Sequence, residues 1–363
     1  MVIDTGYQVP GNPDTLVTHR ILNDNENRLW IFFQTSYRSL AYGTSEDGGK
    51  TWSAAKEILP DISGPFAATA GAGGSVHIVA RRTHPPDINI ITWNGKSWLG
   101  GIIMPTTGKK VVTGYPLVLE NGDTHVHVLF AVRSYSSGEW AVKHTVLDLH
   151  RQKINHRPVP SFPAPPPGWP QRLDFVKEIL YWSGDITLGS QNTLHLASRI
   201  FTGSHYHIFY SSCSGETGQW QEFIPLTGTP LHRGHPRIAA GSGENSIYVL
   251  YQVEEEKNNS LVCQSRSVKG RWGDERVIAR GIKTDFIPEI INTDSGPAVY
   301  WAQGDGIHRA YINGTGPPQK ILDNRINYLS AACRRDKAYL AFTGKEDGKN
   351  TIYLLTDSLN NKQ

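Results

Sequence analysis

An all-β chain built as a ring of repeats is the fold class this sequence predicts, and three observations predict it. Short apolar runs broken by Gly, Asn and Asp turns occur along the whole chain, while helical periodicity is nearly absent. The runs recur. A short strand, a polar hairpin turn and a stronger aromatic or β-branched strand return seven times, about every 50 residues. A third strand, and usually a fourth, follows each pair. Four strands at this period describe a β-propeller blade, which protects its strand edges by packing radially about an axis. The expectation is one domain over residues 1–363: a seven-bladed β-propeller of four-stranded blades.

Each element has its reason. The run Val2–Val9 (VIDTGYQV) precedes the first unit and has no partner of its own, whereas the last unit ends at TIYLLTDS without an outer strand. The N-terminal strand is therefore expected to close the ring. The seven units start at Leu16 (LVTHRILNDNENRLWIFF), Pro65 (PFAATAGAGGSVHIVA), Tyr115 (YPLVLENGDTHVHVLF), Gly184 (GDITLGSQNTLHLA), His235 (HPRIAAGSGENSIYVLY), Ile287 (IPEIINTDSGPAVYW) and Tyr328 (YLSAACRRDKAYLAF). Third strands such as SLAYGTSED, HYHIFYSSCSG and NSLVCQSRS continue them. Between the third and fourth units, at about 157–180, the pattern breaks into a Pro-rich run followed by a short helical stretch after Asp174. Proline fixes φ and removes a donor, so Ser161–Pro170 is excluded as an inner strand. It reads as a stiff excursion, either packed on the rim or lying as a lid over a central site.

Composition narrows the function classes. With 38% hydrophobic and 19% charged residues, 10 Trp, 15 Tyr and 11 Phe, the chain is neither a coiled coil nor disordered. A net charge of +3 without any Lys/Arg block gives no steering toward nucleic acid, and no run is long and apolar enough for a bilayer. The N-terminus lacks a secretion signature, which reads as cytoplasmic for the chain as written and extracellular if a signal has been removed. Cys213, Cys263 and Cys333 are far apart and are expected to be buried thiols. There is no nucleotide, zincin or hydrolase motif, and no cofactor is expected. His125 with His127, and His205 with His207, could each present two imidazoles on one strand face, but without a third ligand they read as half-exposed strand histidines, and no metal is expected.

The segment Ser45-Glu46-Asp47-Gly48-Gly49-Lys50-Thr51-Trp52 is the strongest local motif. Its Asp can accept backbone N–H groups, its Gly pair permits positive φ, and its Trp can pack between sheets. It resembles the S-x-D-x-G-x-T-W Asp-box (BNR repeat) of sialidase-like propellers. Degenerate versions stand at Ser212–Trp220, Ser265–Trp272 and Thr92–Trp98. The resemblance implies a fold marker on the face away from the working site, so Asp47 is not read as catalytic.

On the opposite face, such propellers carry the loop after each second strand and the connection into each first strand. Those places hold Arg38, then Arg81, Arg82 and His84, then Arg133 and Tyr135, then Arg199. At the inner-strand starts stand Tyr115, Trp182, Asp185, His232, Arg233, His235, Asp285, Arg325 and Tyr328. Guanidinium forks bind carboxylates bidentately and aromatic rings stack on sugar faces, so this list suits an anionic oligosaccharide or polysaccharide.

Tyr115-Pro116 followed by Phe130–Gly138 (FAVRSYSSG) is similar to the Tyr-Pro…Arg-x-x-x-Ser-Gly stretch of seven-bladed ulvan-lyase-type polysaccharide lyases. That resemblance implies β-elimination beside a uronic acid, with His84 as base, Tyr115 as acid and Arg133 neutralising the carboxylate. Arg81, Arg82, Tyr135, Arg199, His232, Arg233, His235 and Tyr328 would bind substrate. Where that family has a second His, this chain has Ser63-Gly64-Pro65. A sialidase is the weaker match: His19-Arg20-Ile21-Leu22 lacks the family's Pro, although Tyr328 with Glu289 resembles its nucleophile pair. Two roles stay open beside catalysis, a glycan-binding propeller and a protein-interaction scaffold, because propellers host all of these. Tyr115 as an inner-strand core residue and His84 as a turn residue also stay open. The chain is expected to act as a monomer.

Overall fold

The computed structural model describes residues 2–9, 18–35, 38–62, 64, 66–82, 87–105, 110–122, 125–134, 140–151, 153–160, 183–201, 205–215, 217–229, 231–241, 245–255, 259–282, 287–293, 296–303, 306–314, 316–324, 326, 328–346 and 349–359. After β1 (Val2–Val9), blade one comprises β2 (His19–Asn23), β3 (Leu29–Gln34), β4 (Leu40–Ser45) and β5 (Lys56–Leu59). Blade two is β6 (Ala67–Ala70), β7 (Val76–Arg81), β8 (Asp87–Trp93) and β9 (Trp98–Pro105). Blade three is β10 (Lys110–Asn121), β11 (His125–Ser134), β12 (Trp140–Asp148) and β13 (Lys153–Arg157). Blade four is β14 (Ser183–Leu188), β15 (Leu194–Phe201), β16 (Tyr206–Cys213) and β17 (Ile224–Pro225). Blade five has a divided inner strand, β18 (His232–Arg233) and β19 (Arg237–Ala240), then β20 (Asn245–Glu254), β21 (Ser260–Ser267) and β22 (Arg276–Arg280). Blade six is β23 (Glu289–Thr293), β24 (Gly296–Gln303), β25 (Gly306–Tyr311) and β26 (Gln319–Asp323), and blade seven begins with β27 (Tyr328–Arg334), β28 (Lys337–Glu346) and β29 (Lys349–Ser358).

Every sheet is antiparallel, and inner strands touch in the cyclic order β2, β6, β10, β14, β19, β23, β27 and back to β2. The expected ring is present, with β1 pairing β29 as the outer strand of blade seven. The third unit begins earlier than its sequence pattern indicates: β10 reaches back to Lys110, past a register shift between Thr113 and Leu117.

Packing follows the ring. Seven buried apolar clusters occupy the seven interfaces between blades, for example Leu29, Phe33 and Ile352 between blades one and seven. Burial of this kind contributes about 25 cal/mol per Å² of apolar surface and is the main term holding blades together. Each interface also carries a polar tie. His77 meets Glu120 at 2.5 Å, the Trp220 indole donates to His144 Nδ1 at 3.1 Å, and Arg309 pairs with Asp357 at 2.8 Å. His19 meets Ser330 at 2.9 Å and Asn25 donates to the Gly71 carbonyl. Two further ties, Asp185 to Ile238 and Arg237 to Glu289, belong to the axis.

The Ser45–Trp52 turn forms as its residues dictate. Asp47 Oδ1 accepts from Ser45 Oγ and from the N–H groups of Lys50 and Thr51, and Oδ2 accepts from Thr51 Oγ1. These donors hold the Asp47 carboxyl well below the usual range. Gly49 has φ +88°, and a Cβ there would fall 2.2 Å from Leu354, so glycine is required. Trp52 packs against the cluster between blades one and seven.

Some expectations need correction. His127 and His207 are buried rather than half-exposed. His127 Nδ1 meets His144 Nε2 at 2.9 Å, and His207 Nδ1 meets the Thr227 carbonyl at 3.2 Å, so hydrogen bonding offsets the cost of burial. Cys213 and Cys263 are buried, while Cys333 is only half-buried because its strand leads into the β27–β28 turn. The short helical stretch after Asp174 and most of the Pro-rich excursion lie outside the described residues. Among the described residues no helix is long and apolar enough to cross a membrane, and no group of three or more His, Cys, Asp or Glu converges as a metal site would.

Candidate functional site

The seven inner strands surround an axial cavity of about 220 Å³. It has two chemical zones. Leu22, Ala68, Val118, Ile186, Ile290 and Ala331 supply apolar wall, one from each blade except the fifth. Arg20, Asp185, His235, Arg237 and Glu289 supply the charged part. Four of these occupy the first three positions of an inner strand: Arg20 on β2, Asp185 on β14, Arg237 on β19 and Glu289 on β23. The starts of these inner strands therefore converge on the axis.

His235 arrives by a different device. The inner strand of blade five is interrupted by Gly234-His235-Pro236, with β18 and β19 each pairing β20 on either side. The Gly234 N–H still donates to the Gln252 carbonyl at 2.9 Å, and a Cβ on Gly234 would press 2.8 Å from Gln252. Proline has no N–H to continue the ladder. The break places His235 on the cavity wall. Burial, then the positive charges of Arg199 and Arg237, pull its imidazole down to about 3, so it is neutral at physiological pH.

The charged zone is a single network. Glu289 Oε1 accepts from Arg20 Nη1 at 2.9 Å and from Arg237 Nη2 at 3.0 Å. Arg237 Nε donates to the Pro288 carbonyl at 3.1 Å. The Asp185 carboxylate accepts the Ile238 N–H at 2.9 Å, linking blade four to blade five. Burial pushes the Asp185 carboxyl up, opposed by Arg237. The arrangement sets two guanidinium groups side by side around one carboxylate oxygen. A guanidinium has five N–H donors, and Glu289 takes one from each. Arg20 keeps 23% of its side chain exposed and Arg237 keeps 9%. Chemically this sets two guanidinium groups beside a carboxyl that is easier to protonate than usual and a neutral imidazole.

A strip of side chains stands beside His235 on blades four and five. The Arg199 guanidinium sits 4.2 Å from the Tyr206 ring centroid. The His232 ring lies 5.9 Å from Tyr206 and 4.9 Å from His205. All four are half-buried. Tyr328 is half-buried too, its ring edge-on to His19 at 4.8 Å and close to Arg20. Arg233 is buried, at 1% exposure, with its guanidinium 2.6 Å from Thr229 Oγ1 and 3.6 Å from Glu275.

Arg81 ends β7, and Arg82 follows it in a bridge to Ile62; both are half-buried. Arg133 stands one position before the end of β11, with backbone opposite Val111 and Trp140. Tyr115 lies on β10 immediately before Pro116, which lines the cavity. His84 and Tyr135 lie outside the described residues, as do Trp182, Asp285 and Arg325. The residues singled out from the sequence therefore meet the charged cavity at Asp185 and His235, with Arg199 beside His235 and Tyr328 beside Arg20. Arg20, Arg237 and Glu289 were not in the predicted working set. Their signal is a charged residue at the start of an otherwise apolar inner strand.

No protein-family model matches the sequence, and no curated protein matches it. Solved structures do match. A lectin from Burkholderia pseudomallei aligns with a TM-score of 0.69 at 13% identity, covering 98% of this chain and 97% of the lectin. An ulvan lyase aligns with a TM-score of 0.56 at 12% identity, covering 84% of this chain and 80% of the lyase. The Trypanosoma rangeli sialidase, solved with sialic acid, aligns with a TM-score of 0.54 at 12% identity, covering 85% of this chain and 56% of the sialidase. This chain is a propeller similar in fold to sugar-binding and sugar-cleaving propellers.

Proposed function

We propose that this propeller recognises an anionic, carboxylate-bearing glycan in its axial cavity, with Arg20 and Arg237 as the carboxylate forks. One observation carries the reading: both guanidinium groups are fixed at the cavity by a shared Glu289 oxygen, and each lines the space. Pre-fixed donors lose little freedom on binding, which favours recognition. The fold neighbours are glycan proteins, which is consistent with it. The Ser45–Trp52 turn is read as an Asp-box, a fold marker, and the protein is read as a monomer that needs no membrane or nucleic acid.

Calorimetric titration with glucuronic acid, with glucose as the neutral control, tests this. The wild type is expected to bind only the acid, with at least a tenfold loss in Arg237→Ala, about 1.4 kcal/mol. Equal binding of both sugars, or no effect of the substitution, would overturn it.

A second reading, β-elimination, is favoured by the position of Tyr115 directly before cavity-lining Pro116. His84 would remove the proton α to the uronate carboxylate, and the electron pair would form the new C=C bond as the C–O bond breaks. Tyr115 would protonate the leaving oxygen while Arg133 neutralises the carboxylate. Incubation with ulvan, pectate, alginate and glycosaminoglycans should then raise the ultraviolet absorbance of unsaturated uronate, and His84→Ala and Tyr115→Phe should abolish the rise. A flat trace leaves binding as the function.

A further inference from the structure

The axial cavity holds little more than one sugar unit. Its volume of about 220 Å³ falls below the ~300–1,000 Å³ of pockets for drug-sized ligands. A longer glycan seated there by one acidic residue must leave across the working face, and the side chains around the rim decide where. Among the described residues, His235 is a cavity residue beside a run of polar and aromatic groups on blades four and five. Arg199 acts on it from the blade-four side. Beyond Arg199 come Tyr206, then His232, then His205, with successive separations of 4.2, 5.9 and 4.9 Å. These residues are held from beneath: Arg233, buried and bound to Thr229 and Glu275, anchors the short strand that carries His232.

We infer that Arg199, Tyr206, His205 and His232 form a second sugar subsite, for an anionic residue adjoining the one in the cavity. This rests on the cavity reading above. The strip offers one guanidinium, two imidazoles and one phenol ring, all half-buried and each within 5.9 Å of the next. Aromatic and guanidinium groups give flat contact area at low entropic cost, and imidazole N–H groups donate to hydroxyl or acid oxygens. The cationic member selects an acidic unit, carrying either a carboxylate or a sulfate. The test separates the two.

The experiment titrates three probes into the intact protein: glucuronic acid, a hyaluronan tetrasaccharide bearing carboxylates only, and a chondroitin sulfate tetrasaccharide bearing both acids. Wild type should bind the tetrasaccharides at least tenfold more tightly than the monosaccharide. His232→Ala, His205→Ala and Tyr206→Leu should each remove most of that advantage while glucuronic acid affinity stays within twofold. A greater loss with the sulfated probe identifies sulfate as the subsite's anion; an equal loss identifies carboxylate. Thermal melting by circular dichroism checks that each variant folds, and His205→Ala stands as the mildest of the three. Equal affinity for monosaccharide and tetrasaccharides would overturn the subsite while leaving the cavity reading intact. Tetrasaccharide binding that depends on His232 but not on Arg20 or Arg237 would overturn the cavity reading and keep the subsite. Failure of every probe to bind overturns both.

Discussion

Replacing Glu289 by Ala removes the one acceptor that Arg20 and Arg237 share, and the outcome can be worked through from the geometry. Both contacts are short, 2.9 and 3.0 Å, and the Arg237 and Glu289 side chains are 9% and 10% exposed. Removing one partner of a buried charge pair costs roughly 3–5 kcal/mol because the other charge is left without compensation. Arg20 at 23% exposure retains some water, so about 3 kcal/mol is the expected loss. At about 2.1 cal/mol/K per residue, unfolding 363 residues carries about 0.76 kcal/mol/K of entropy, so the melting temperature should fall about 4 °C. On the proposed reading, the vacated position would accept another carboxylate between the two guanidinium groups. Added acetate should occupy it, and at ten times its Kd should restore about 1.4 kcal/mol, or about 2 °C. Differential scanning fluorimetry across an acetate series, with chloride at equal ionic strength as the control, reads both effects. Glu289→Gln keeps an acceptor oxygen and should lose less. A variant that melts at or above the wild type refutes the account of the cluster. One that melts lower yet ignores acetate refutes the claim that the two forks hold a carboxylate.

Three further outcomes follow from the fold. Deleting residues 1–10 removes the strand that pairs with β29, so amides of Thr351, Tyr353 and Leu355 should exchange faster by hydrogen-exchange mass spectrometry than those of β7 in the same sample. Unchanged protection would refute closure by β1. The depressed Asp47 carboxyl contributes stability that is present above the unfolded carboxylate pKa of ~3.9 and is lost as pH falls through the folded value, so Asp47→Asn should flatten the acid limb of a stability–pH curve below about pH 4. His127 and His144 are held down to about 3 and about 2, first by burial and then by neighbouring positive charge. Their neutral forms suit the fold, so stability should be complete above the unfolded histidine value of ~6.5 and decline as pH falls below it. A denaturant midpoint that is flat from pH 7 to about pH 4 would contradict this.

Much of the fold was legible because blades are local. Each repeat carries its own strand pattern and turn chemistry: the Ser45–Trp52 turn hydrogen-bonds within eight residues, and the Val2–Val9 strand announced itself by having nothing else to pair with. The candidate site was less legible because it is assembled from the starts of different blades. Arg20 and Glu289 are 269 positions apart, and only the ring brings them together. Sequence reading drew on the ends of second strands, at Arg81, Arg133 and Arg199, and on the inner-strand starts, where it met Asp185 and His235. It passed over Arg20, Arg237 and Glu289 as binding groups, although they too stand at the starts of inner strands. Burial of histidines was also misread. His127 is paired by His144, which comes from the next strand, and Trp220 of the following blade fixes the pair in turn.

The contact between Arg20 and Glu289 has a kinetic meaning. It joins blade one to blade six across blade seven, so a chain growing from its N-terminus cannot form it before blade six is made. A contact of such long separation comes late, after the cost of bringing distant segments together has been met. The paired guanidinium groups are therefore absent from any growing chain that stops short of Glu289. A ligand that needs Arg20 and Arg237 held on Glu289 would bind no chain shorter than six blades, so its binding would report how far assembly has gone.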